Sequence, residues 1–121
     1  MPLIKKILKN DQREVILKWT GSGSEVLTLA SLVSTGQTVT GIPAVHILAV
    51  GTSQSSTGVA AITRNAEVVL SMHGNFEFQT DGIVAAVLDE NAGANITVDM
   101  TTIGTTILRL RKVGGYSESN Q

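Results

Sequence analysis

Apolar residues recur at every second position along most of this chain, and that alternation limits what it can fold into more than any motif does. In REVILKW, Val15, Leu17 and Trp19 fall on one side; in NFEFQ, Phe76 and Phe78 do. Ile96, Val98 and Met100 repeat the pattern in NITVDM, as do Leu108 and Leu110 in ILRLR. Successive strand side chains point to opposite faces, so each segment predicts a strand with one buried and one wetter side. No segment carries a helical repeat over several turns, and parallel strands would need a crossover of that kind. Turn-forming clusters punctuate the pattern: GSGS at 21–24, STGQTVTG at 34–41, GTSQSSTG at 51–58, RN at 64–65, HGN at 73–75, TDG at 80–82 and DENAGAN at 89–95. The spacing predicts an all-β chain of about eight to ten short strands, in an antiparallel β-sandwich of jelly-roll-like form.

The 121 residues suit one domain spanning 1–121, with the polar end SESNQ, 117–121, expected as a flexible tail. Aromatics are only 3%, so the core must come from Val, Ile, Leu and Ala, which favour strands. Charged residues are 16%, against about 25% in an ordinary domain. A polar but sparsely charged surface suits broad contacts with partners. AVHILAV at 44–50 and GIVAAVL at 82–88 alternate less cleanly. Their second face is expected to be covered, either by a neighbouring subunit or by a loop.

Charge is unevenly placed. Residues 1–18 carry Lys5, Lys6, Lys9, Arg13 and Lys18 against two acids; residues 19–108 carry Arg64 alone against seven acids; the last thirteen carry Arg109, Arg111 and Lys112 against Glu118. If the end strands lie together, these cations form a basic face able to steer docking onto an acidic protein surface. They could equally blunt an edge strand. Nucleic acid is not the expected partner, because such domains have a basic balance and interleaved aromatics, whereas the net charge here is −1.

No chemistry-bearing signature emerges. With no Cys there is no disulfide or thiol nucleophile. GSGSE and GTSQSSTG lack the helix and the Lys of phosphate loops, and GSGS is not a nucleophile elbow. His46 and His73 show no metal-ligand spacing, and nothing brings a triad together. Asp89 and Glu90 lack the alternating ligands of a calcium loop. The chain is read as non-enzymatic, with no catalytic, cofactor or metal residues, no export signal and no membrane span.

GVAAITRNAEVVLSMHGNFEF at 58–78 and TTILRLRKVGGY at 105–116 resemble small structural proteins of tailed phages, particularly of marine and cyanobacterial hosts. The likeness spans residues 12–116 and departs from the family pattern at Asn75 and Phe76, where Trp is usual. It implies a virion component, a capsid decoration or cement protein bound to the major capsid protein, with a homotrimer favoured. A neck or tail ring component and, from another class, a carbohydrate-binding module are the alternatives. The closing strand would set Leu108 and Leu110 in the core, with Gly114 and Gly115 turning Tyr116 back on the body. Lys5, Lys6, Arg109, Arg111 and Tyr116 are the expected contact residues.

Overall fold

The computed structural model describes residues 3–64, 67–79 and 93–118. Within them the alternating segments form seven strands: β1 Ile4–Asn10, β2 Glu14–Leu27, β3 Gln37–Ser53, β4 Val59–Arg64, β5 Glu67–His73, β6 Phe76–Gln79 and β7 Ile96–Glu118. A short 3₁₀ turn, Leu29–Leu32, follows β2. All pairings are antiparallel. The expected strand at 82–88 and most of DENAGAN lie outside the described residues.

Two strands are too long to stay flat, and glycine decides where they bend. GSGS, expected as a turn, lies inside β2, where Gly21 and Gly23 take φ values of 123° and 115° that side chains resist. Opposite them β7 runs from Gly104 to Met100 while β2 advances only from Gly21 to Gly23. This bulge sharpens the local twist, so the paired strands pass from one layer into the other. One layer holds β1, the first half of β2, the last half of β7, β3 and β6, in that order. The second holds the end of β2, the start of β7, β4 and β5. The result is an antiparallel β-sandwich of jelly-roll-like form whose central pair, β2 and β7, comes from distant parts of the chain.

The core lies between the layers. Val15, Leu17, Trp19, Val45, Ile47, Leu108 and Leu110 face inward from the first, and Leu27, Ala60, Ile62, Met72, Ile96 and Val98 from the second. Leu29 and Leu32 of the 3₁₀ turn add to the same cluster. Each fully buried aliphatic side chain contributes about 1.5–3 kcal/mol, so one continuous cluster is enough to hold so small a domain. Arg64 continues the inward phase of Ala60 and Ile62 and is wholly buried. Its guanidinium donates to Val45 O at 2.9 Å and to Ala94 O at 2.8 and 3.1 Å. It therefore ties β4 to β3 and to the approach to β7.

The closing strand does more than was expected of it. β7 continues through Gly114 and Gly115, and Val39 pairs with Tyr116, Thr38 with Ser117 and Gln37 with Glu118. The start of the expected tail is thus strand, and residues 119–121 lie outside the described set. β3 has extra residues between Val39 and Ala44, and this bulge presses on Gly115. A Cβ there would overlap Ile42 O and Pro43 Cα, and the backbone sits at φ 75°. That is why an apolar, cationic strand runs into Gly-Gly-Tyr.

Candidate docking surface

Antiparallel register decides which side chains share a face. Lys6 pairs with Lys18, Lys18 with Ile107, Ile107 with Gly51 and Gly51 with Glu77. Those five make one row across β1, β2, β7, β3 and β6 on the side away from the core. Lys9, Ile16, Arg109, Ala49 and Gln79 make the next row by the same pairings. Glu14, Arg111 and His46 make a shorter third. The slip between Ile47 and Ala49 explains the uneven alternation of AVHILAV: Leu48 is the extra residue, and Val50 returns to the core.

The expected contact residues divide. Lys6, Arg109 and Arg111 share this outer face. Lys5 pairs with the inward-facing Trp19 and belongs to the opposite phase of β1. Tyr116 lies elsewhere, packed against the core with its hydroxyl donating to Leu29 O at 2.6 Å. Burial pushes its phenol up to about 12. The end strands are not neighbours, since β2 runs between them.

Several cations are already engaged. Arg109 donates to Glu14 Oε2 at 2.8 Å; that bond holds the Glu14 carboxyl below its ordinary range and raises Arg109. Lys9 lies 3.6 Å from both Asp11 and Glu14. The Asp11 carboxylate accepts from the backbone N–H groups of Arg13 and Glu14, which lowers its pKa. Lys112 turns inward, donating to Asn10 Oδ1 and Asp11 O at 2.8 Å and to Gln37 Oε1 at 2.5 Å. Burial lowers its pKa, and its ammonium lies 5.0 Å from the Tyr116 ring centroid. Lys112 is a clasp between the β1–β2 turn and β3, a role its place in a cationic run concealed.

What remains open to a partner is β1 itself. Among the described residues it ends the sheet, and it presents Lys5 and Lys6 beside Ile4, Ile7 and Leu8, which are 60%, 44% and 47% exposed. A register slip between Ile7 and Lys9 breaks the edge, which discourages uncontrolled strand addition while leaving the side chains outward. The aromatics offer little to a sugar: Trp19 is buried with its indole N–H on Glu25 at 3.0 Å. Phe76, expected in the core, is 41% exposed. Among the described residues no three His, Cys, Asp or Glu side chains group as metal ligands.

No family model matches the chain, and no curated protein does. Among solved structures, a conserved Streptococcus pyogenes protein of unknown function is 15% identical, with 93% of this chain and 76% of that one covered and a TM-score of 0.45. A cupin domain from Bordetella pertussis is 9% identical, covering 93% and 94%, at 0.42. The PA14 sugar-binding domain of an RTX adhesin is 18% identical, covering 87% and 50%, at 0.29. At these identities and scores none bears on what this chain does.

Proposed function

We propose that the chain is a non-enzymatic structural protein of a tailed-phage virion, a decoration or cement protein that docks on the major capsid shell through the β1 edge. The observation that carries this reading is the placing of Lys5 and Lys6 beside exposed Ile4, Ile7 and Leu8 on a terminal strand of the described sheet. Apolar side chains exposed on both sides of a terminal strand suit an interaction site, and the lysines beside them select an acidic surface and speed encounter. The resemblance of residues 58–78 and 105–116 supplies the kind of partner. Binding the assembled shell and not its separate subunits stabilises the shell by mass action.

Calorimetry of undecorated tailed-phage shells tests this. Added chain is expected to raise the temperature of shell disruption, and the double variant Lys5→Glu, Lys6→Glu is expected not to. An unchanged disruption temperature with wild-type chain, or an equal rise with the variant, would count against docking through β1.

A further inference from the structure

The same outer sheet face carries a second, independent feature. Between β7 and β3 it sinks into a shallow hollow of about 270 Å³ lined by Ile16, Ala49, Gly51, Glu77, Ile107 and Arg109. The floor is formed by small residues, and no atom lies within 4 Å of a Cβ built on Gly51. Beside it stands Ile107, 39% exposed. A knob and a hole therefore sit on adjacent strands of one face.

Charge runs along the same row. Lys6 and Lys18 occupy the β1 and β2 end, and Glu77 occupies the β6 end, its carboxylate held on this face by the Gln79 amide at 3.1 Å. We infer that this face pairs with the same face of a second copy about a twofold axis that lies along the strands between β7 and β3. Sheets stack face to face with strands nearly aligned, and a twofold contact must be self-complementary. This axis sets β7 over β3 of the second copy and β2 over its β6. Ile107 then stands above Gly51 of the second copy, Arg109 above Ala49, and Lys18 above Glu77, each contact made twice. An in-plane axis across the strands would instead stack lysine on lysine, so the charge pattern selects the first arrangement. β1 projects beyond the covered strands, which leaves Lys5 and Lys6 available for docking. The pairing goes beyond the capsid reading and stands or falls separately from it.

Sedimentation velocity over a dilution series, with mass from light scattering, tests the pairing. Wild-type chain is expected to reach twice the chain mass. Lys18→Glu and Glu77→Lys are each expected to weaken pairing about tenfold or more, since each sets like charges against one another across the interface. An equimolar mixture of those two variants is expected to restore the dimer, because every facing pair is again opposite in sign. Gly51→Leu fills the hollow without strain in the subunit, so it is expected to be folded by circular dichroism and monomeric. A wild-type chain that is monomeric or trimeric, a dimer indifferent to both reversals, or a mixture that stays monomeric would overturn the inference. Shell binding by the monomeric variants separates the failure of this pairing from the failure of docking.

Discussion

At the scale of single residues, Arg64, Gly115 and Tyr116 carry the clearest consequences for the fold. Arg64 is the lone cation among the residues from 19 to 108, and burying it requires the carbonyls of Val45 and Ala94. Replacing it with Met leaves both acceptors without a charged donor, and the expected loss is about 3 kcal/mol by urea denaturation. Arg64 was expected in a turn at 64–65, whereas it ends β4 and is buried; the phase it shares with Ala60 and Ile62 is the signal that would have placed it inward. Gly115→Ala is expected to cost more than about 1 kcal/mol, because the backbone at φ 75° and the pressing β3 bulge both oppose a Cβ. Gly51→Ala is expected to be nearly neutral by the same measurement. Tyr116 is the sole tyrosine, so its phenolate absorbance can be followed directly. Its folded pKa of about 12 lies above the ordinary 10.0. The native state therefore holds the proton where the unfolded state releases it. The resulting stability is fully present below pH 10.0 and is lost as pH rises toward about 12. Phenolate appearing near pH 10.0 in the folded chain would contradict the burial of that ring.

Among the elements, period-two alternation identified β2, β6 and the two halves of β7, and it set Leu108 and Leu110 on one side of their strand. It missed what glycine does within a strand. GSGS reads locally as a turn, yet two positive-φ glycines opposite a β7 bulge let one strand serve both layers. Whether such a cluster turns or bends the chain depends on the partner strand, which lies some eighty residues away and leaves no local mark. STGQTVTG misled for a similar reason: its second half is pulled into β3 by pairing with the end of β7. That pairing also sets what a truncation should do. Deleting residues after Val113 removes the partners of Gln37, Thr38 and Val39 and the Tyr116 bond to Leu29. The shortened chain is expected to denature at lower urea than the full chain. Equal midpoints would show that this end of β7 adds nothing to the fold. Glu14, on β2, acts between elements by holding Arg109 of β7. Its carboxyl is held below the ordinary 4.5, so that contribution is present above this value and lost as pH falls through the lowered pKa. Glu14→Gln is expected to flatten the acid limb of the stability curve.

For the whole molecule, the structure divides the cations by use. The uneven charge was plain in the sequence, but not that Lys112 is a half-buried clasp or that Arg109 is spent on Glu14, because both facts depend on register between strands about a hundred positions apart. Once those and Lys9, which lies near Asp11 and Glu14, are set aside, the cations that remain on the outer face are Lys6 on β1, Lys18 on β2 and Arg111 on β7, with Lys5 on the other side of β1. On the reading proposed above, a docking edge and a knob-and-hole face would occupy separate parts of one layer, so that shell contact and self-pairing would not compete. The most direct test is co-sedimentation of the purified chain with undecorated tailed-phage shells across a salt series. The account predicts saturable binding at low salt that falls as added ions screen the β1 lysines. No co-sedimentation at low salt, or binding that salt leaves unchanged, would contradict it.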